Sequence, residues 1–162
     1  MPAWQYNTNC ISFKFKEAYQ MRIKQLSLFI ENKPGTLNEV CQVLKKSDIN
    51  ISTLSLADTE QFGIMRLLIH DWENAKKILE DAGFVVNATE VLALPVGDHP
   101  GGLAYLLEIL NENKINIEYM YAFSYGKGDK AIMVFRFENP EKAIEVLANK
   151  NVDTIKNIDL FS

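Results

Sequence analysis

The stretch NKPGTLNEVCQVLKKSDINI, residues 32–51, returns in outline as DHPGGLAYLLEILNENKINI, residues 98–117. Pro34-Gly35 and Pro100-Gly101 are 66 residues apart. The same offset relates apolar residues of the two segments, which are Leu37 and Leu103, Val40 and Leu106, Leu44 and Leu110, and Ile49 and Ile115. A chain of 162 residues that carries one pattern twice is predicted to contain two related domains.

Each copy reads as β-α-β-β-α-β, with apolar residues at helical spacing in the helices and at alternate positions in the strands. The predicted strands are 22–31, 49–58, 63–69 and 84–89 in the first copy, and 90–97, 115–125, 131–137 and 152–160 in the second. This order predicts an α+β fold of two ferredoxin-like domains in tandem, residues 21–89 and 90–162, each an antiparallel sheet with both helices on one face. Residues 1–20 are predicted to be an N-terminal extension, either a dispensable tail or an arm that packs on the body.

The predicted sheets are apolar on both faces. IMRLLI (64–69) and IMVFRF (132–137) are interrupted only by Arg66 and Arg136, and the aromatic residues of 119–125 repeat with a period of two. Since an open sheet face is normally polar, the second face must be covered. Either the two copies pack on each other or two chains do, with sheets stacked at ~10 Å. We expect a homodimer.

Composition and charge narrow the function classes. A formal net charge of −4 argues against nucleic-acid binding, which needs a basic face. No run approaches the 18 apolar residues of a membrane span, and the first 20 residues lack the apolar core of a secretory signal, so we expect a cytoplasmic protein without a membrane partner. Cys10 and Cys41 have no metal-ligand spacing. We predict no metal and no cofactor.

The repeated strand–Pro-Gly–helix loop predicts a site for an anionic group. Gly35 and Gly101 have no Cβ, so a ligand can approach the backbone closely. The helix beyond offers unpaired N–H groups and a partial positive charge. Asp98 could take an ammonium group, and the two features together suit a free amino acid. The alternative is that Pro-Gly merely ends a strand and starts a helix.

The two quoted segments resemble the signature of ACT domains, small βαββαβ modules that bind amino acids and regulate metabolic enzymes. The resemblance covers about 140 residues and is greatest to stand-alone proteins made of two ACT domains. It implies a ligand between paired domains, at the loop after the first strand and the start of the neighbour's second strand. The matching residues are Asn32, Lys33, Pro34, Gly35, Thr36, Leu37 and Asn50 in the first copy, and Asp98, His99, Pro100, Gly101, Gly102, Leu103, Asn116 and Tyr119 in the second. The acidic position of the pattern is Asp98 in the second copy and Asn32 in the first.

No arrangement of residues predicts catalysis, so we expect a protein that is not an enzyme. The expected function is that of a sensor that binds a free amino acid, with an aromatic or branched side chain favoured by the aromatic strand residues. Its output would pass to a separate metabolic enzyme. The alternative is a structural dimerisation module with vestigial ligand sites, which Asn32 in place of an acid motivates.

Overall fold

The computed structural model describes residues 21–58, 61–123 and 130–155. Within these ranges the strands are β1 (Arg22–Glu31), β2 (Thr53–Asp58), β3 (Phe62–Leu68), β4 (Val85–Gly97), β5 (Ile117–Phe123) and β6 (Lys130–Phe137). The helices are α1 (Thr36–Lys46), α2 (Trp72–Asp81), α3 (Gly102–Glu112) and α4 (Pro140–Asn149). The element order confirms the predicted α+β fold. The extension at 1–20 lies outside the described residues.

The six strands form one antiparallel sheet with the order β2-β3-β1-β4-β6-β5. The predicted strands 84–89 and 90–97 are a single 13-residue strand, β4. Its first part pairs with β1, from Val85 opposite Phe29 to Leu92 opposite Arg22, and its last part pairs with β6. Glu90 interrupts the apolar pattern at the junction of the two copies, but the strand continues through it without a glycine or proline that would force a turn there.

Two helix-covered cores lie on the same face of this sheet. Val86 of β4 packs with α1 and α2, whereas Leu92, Leu94 and Val96 pack with α3 and α4. All four side chains are at even positions of one strand, and even positions share a face. The other face, which we call the helix-free face, carries a third apolar cluster built from strand residues and Ile155.

The expectation that the two copies stack face to face within one chain is wrong. They stand side by side, because β4 runs through both and bonds β1 on one edge and β6 on the other. Stacking would require a turn in the middle of β4, with loss of its ladder hydrogen bonds. This finding does not test the alternative, in which a second chain covers the helix-free face.

Three predicted strands are shorter than expected. Residues 49–52 and 115–116 precede β2 and β5 rather than belonging to them. Asp48 and Lys114 adopt positive φ, and the following amides close the helix ends, with Ile49 N donating to Leu44 O at 3.0 Å. For the strand predicted at 152–160, the described residues show one bridge, Ile155 with Ala93, and residues beyond 155 lie outside the described range. The next positions along that edge of β4 are taken by β1.

Candidate functional site

Both strand–Pro-Gly–helix loops place their glycine in the left-handed region at the helix N-cap. Gly35 has φ 97° and Gly101 has φ 92°. A Cβ built on either glycine would meet nothing within 4 Å, so neither is required by a close contact within the chain. The glycines are needed for the positive φ, which residues with a side chain adopt at a cost. The open space above them leaves both loops approachable from outside.

The helices that follow these loops have no side-chain cap. The cap residues Gly35 and Gly101 have no side chain that could accept a hydrogen bond from the first turn of α1 or α3. By contrast, Asn139 caps α4, where its Oδ1 accepts from Lys142 N at 2.9 Å. Asp71 before α2 makes no cap bond either, so an uncapped start is not confined to the two loops.

Thr36 N and Gly102 N donate within their loops, to Lys33 O at 3.4 Å and His99 O at 3.0 Å. The N–H groups of the next two residues of α1 and α3 are left for an outside acceptor, at the positive end of the helix dipole.

The second loop is folded tightly on the end of β4. A Cβ on Gly102 would lie 2.1 Å from Gly97 O, so this position excludes a side chain. The His99 ring rests against Gly97, and its Nδ1 is 3.0 Å from Pro100 O. Asp98 is exposed and makes no ion pair with the described residues, so its carboxylate is available to a cation.

The first loop differs in its charge arrangement. Lys33 forms an ion pair with Glu31, and this hydrogen bond raises the pKa of Lys33. Thr36, which replaces the second glycine of the other loop, donates its Oγ1 proton to Lys33 O at 3.2 Å. Asn32 N donates to Gln61 O at 3.0 Å. The charge of Lys33 is therefore already balanced by Glu31, and the first loop has no acidic residue at the position that Asp98 has in the second loop.

The two loops lie at opposite ends of the sheet. One follows β1 and is level with Val85 of β4, whereas the other follows Gly97 at the far end of the same strand. Twelve residue steps at ~3.3 Å separate these levels by about 40 Å. One chain does not bring the two loops together.

The expected strand-start residues are also remote from the loop of their own copy. Ile117 at the start of β5 is paired with Phe137, whereas Gly97 is paired with Lys130 at the other end of β6. Asn116 donates from Nδ2 to Glu138 Oε2 at 3.2 Å, and Asn50 is exposed. A site that combines a loop with a strand start therefore needs a contribution from another domain or chain.

Tyr119 lies on the helix-free face, in a network that the sequence analysis missed. The side chain of Gln25 is fully buried, and its Nε2 donates to Tyr119 Oη at 2.8 Å and to Ser27 Oγ at 3.1 Å. Tyr121 Oη donates to Gln25 Oε1 at 3.0 Å. The signal in the sequence was a glutamine inside the apolar strand RIKQLSLFIE. The network joins β1 of the first copy to β5 of the second.

Other kinds of site find no support in the described ranges. No group of three or more His, Cys, Asp or Glu there could hold a metal ion. No helix in this part of the chain is long and apolar enough to cross a membrane.

Comparison with known proteins assigns the chain to a family. The model of the ACT domain pair matches residues 21–162. The chain is similar to the crystal structure of protein BT0572 from Bacteroides thetaiotaomicron, with 43% identity, a TM-score of 0.82, and coverage of 88% of this chain and 97% of that one. The ligand-free regulatory subunit of aspartate kinase from Thermus thermophilus shares the fold at 18% identity and a TM-score of 0.57, over 78% of this chain and 91% of that one. Among curated proteins no match is found. The repeated βαββαβ order, the paired Pro-Gly loops and these matches agree, and the chain belongs to the ACT domain-pair family.

Proposed function

We propose that the chain is a regulatory protein without enzymatic activity, which binds a free amino acid at the strand–Pro-Gly–helix loops. The observation that carries the proposal is the second loop, where an uncapped helix start lies beside the exposed carboxylate of Asp98. The N–H groups of α3 suit a ligand carboxylate, and Asp98 suits its ammonium group. The membership of the ACT domain-pair family supports a regulatory role.

The ligand is an amino acid with an aromatic or branched side chain. The first turns of α1 and α3 carry the exposed apolar side chains Leu37 and Tyr105, which would pack on such a ligand. The residues we assign to the two sites are 32–37 with Asn50, and 98–103 with Asn116 and Tyr119. Ligand binding changes the pairing of domains only if the ligand prefers one pairing, and the change is passed to a separate metabolic enzyme in the cytoplasm.

We propose further that two chains form a homodimer. A loop and the start of a second strand do not meet within one chain, so a second chain completes each site. The helix-free face near the end of β1 supports this, since Phe29 is 56% exposed and Val85, opposite it on β4, is 66% exposed. Adjacent exposed apolar side chains of this size mark interaction surfaces. Light scattering should give twice the chain mass, and Phe29→Asp should reduce it to one chain, whereas Tyr105→Ser should not.

A thermal-shift screen of the whole chain against the twenty amino acids, one at a time, tests the ligand proposal. A ligand at 100 times its Kd adds ~2.7 kcal/mol of stability. Asp98→Asn should weaken binding by about tenfold because it removes the ammonium partner and keeps the shape. Asn32→Asp is the matched control and should leave binding at the second loop unchanged.

The second candidate function is a structural dimerisation module. The lack of an acid at Asn32 and the apolar pair Phe29 and Val85 favour it. A dimer that no amino acid stabilises would support this module and contradict the sensor.

A further inference from the structure

The helix-free face contains a cluster of polar side chains in which Arg66 Nε finds no hydrogen-bond acceptor among the described residues. Gln25 is at its centre and is satisfied by Tyr119, Tyr121 and Ser27. Arg66 of β3 lies against this network, with its Cζ 4.1 Å from the centroid of the Tyr119 ring. A guanidinium over an aromatic face is attracted by the electron density of the ring, so the two side chains hold each other in place.

Arg66 differs from the other two arginines of the chain. Arg22 pairs with Glu90 and Glu141, and Arg136 pairs with Glu118. Arg66 has no ion pair within the described residues, and its Nε is buried without a hydrogen-bond partner. The Nε of Arg22 is also unpartnered, but there the charge is neutralised by two carboxylates. A buried N–H that has lost water and gained no acceptor is costly.

Tyr119 adds a second donor to the same place. Its Oη accepts the hydrogen bond of Gln25 Nε2, so its own proton remains for another acceptor. Arg66 and Tyr119 are both partly exposed, which leaves the cluster reachable from solvent. The missing partner must accept at least two hydrogen bonds and balance one positive charge. A carboxylate does both.

The surroundings indicate what the carboxylate is attached to. The same face holds the buried apolar cluster of Ile23, Leu68, Val91, Ala93, Ile132 and Val134. Phe123 is partly buried against this cluster. Apolar walls beside a guanidinium favour an acid with a hydrophobic body over a small hydrated anion.

We propose that Arg66 and Tyr119 form a binding site for the carboxylate of a small apolar organic acid on the helix-free face. This site shares Tyr119 with the proposed amino-acid site, but it lies apart from the strand–Pro-Gly–helix loops, which are beyond the ends of β1 and β4. Because Tyr119 comes from the second copy and Arg66 from the first, occupation of the site links the two halves of the sheet.

Benzoate is the probe, and benzamide is its uncharged control. The chain has three arginines, so the arginine Nε–H region of an NMR spectrum holds three signals, and Arg66→Lys identifies that of Arg66. Benzoate should shift the Arg66 signal saturably and leave those of Arg22 and Arg136 in place. Benzamide should shift none. Calorimetric titration does not depend on the Arg66 signal. Measured in this way, Tyr119→Phe should weaken benzoate binding several-fold and Arg66→Lys by about tenfold, because lysine lacks the planar fork.

A folded Arg66→Lys or Tyr119→Phe protein that binds benzoate as tightly as the parent would overturn the proposal. So would an Arg66 signal that benzoate leaves unmoved, or one that benzamide moves equally. Asp98→Asn separates this site from the proposed amino-acid site. It should weaken any amino-acid binding by about tenfold and leave the benzoate titration unchanged.

Discussion

Arg22 at the start of β1 and Glu90 in the middle of β4 form an ion pair, with Nη1 2.9 Å from Oε2. Glu90 also accepts from Lys24 Nζ at 3.0 Å, and Arg22 Nη2 reaches Glu141 in the first turn of α4 at 2.8 Å. Glu90 lies at the junction where the first copy passes into the second. These ion pairs therefore connect β1, the first strand of one copy, to α4, the last described helix of the other copy.

Glu90→Gln should lower the free energy of unfolding by ~1 kcal/mol, because it leaves two cations without their shared carboxylate. Denaturant titration of the variant measures this loss, and a double-mutant cycle with Arg22→Met isolates the coupling. Lys76 and Glu80 form an i,i+4 pair on α2 and provide the control. Glu80→Gln should cost about 0.4 kcal/mol. Equal losses for the two glutamines would contradict a special role for Glu90.

The ion pairs of Glu90 predict that the folded protein loses stability in acid. Partial burial alone would raise the pKa of Glu90, but the hydrogen bonds and charges of Lys24 and Arg22 outweigh it and lower that pKa below its ordinary value of 4.5. The unfolded chain then binds a proton before the folded one does. The stabilisation is complete above pH 4.5 and declines as the pH falls through the lower, folded pKa. Urea titrations across this range should show a smaller slope with pH for Glu90→Gln than for the parent.

The stability cost of a substitution in the second loop should depend on the backbone geometry at the glycine that is replaced. Gly101→Ala should cost ~1 kcal/mol because alanine is strained at positive φ, and Gly101→Asn should cost less since asparagine tolerates that region. Gly102→Ala should cost more, about 3 kcal/mol, because its Cβ would overlap Gly97 O. Thermal unfolding of the three variants gives the order. If Gly102→Ala proved the mildest, the close packing of this loop would be disproved.

The two cores should unfold together because β4 belongs to both. Leu79→Ala removes a buried side chain from the core of the first copy and Phe135→Ala one from that of the second. These changes should cost ~3 and ~4 kcal/mol respectively. Each substitution should lower the midpoint temperature of one shared unfolding transition, and the calorimetric and van't Hoff enthalpies of that transition should be equal. Two transitions, with each variant moving only one, would indicate independent domains.

The helices and their ends were predictable from local pattern. The β-α-β-β-α-β order predicts a helix between strands 22–31 and 49–58, where α1 lies, and another after strand 131–137, where α4 begins with Pro140. A helix depends on residues within one or two turns, so its apolar stripe and its stop signals are written next to each other in the chain. The need for glycine in the loops was also readable, although the physical reason proved to be the positive φ of Gly35 and Gly101 rather than a close contact.

The Arg66 and Gln25 cluster was not predictable. Gln25 reaches Tyr119 across 94 residues of sequence, and nothing near either residue marks the other as its partner. The resemblance to ACT domains predicts Tyr119 as a ligand-binding residue at the start of a second strand, and this stays a prediction. The structure adds that its side chain bonds to Gln25 on the helix-free face.

The repeat, the βαββαβ order and the two Pro-Gly turns were predictable, because they depend on periodicity and turn residues that are local in the chain. Strand pairing showed that 84–89 and 90–97 are one strand, that both helix layers share a face, and that the two loops lie at opposite ends of β4, separated along it by about 40 Å. Those features depend on which strands exchange hydrogen bonds. Segments that are far apart in the chain have similar apolar patterns, so the free energy of the whole sheet determines which of them pair.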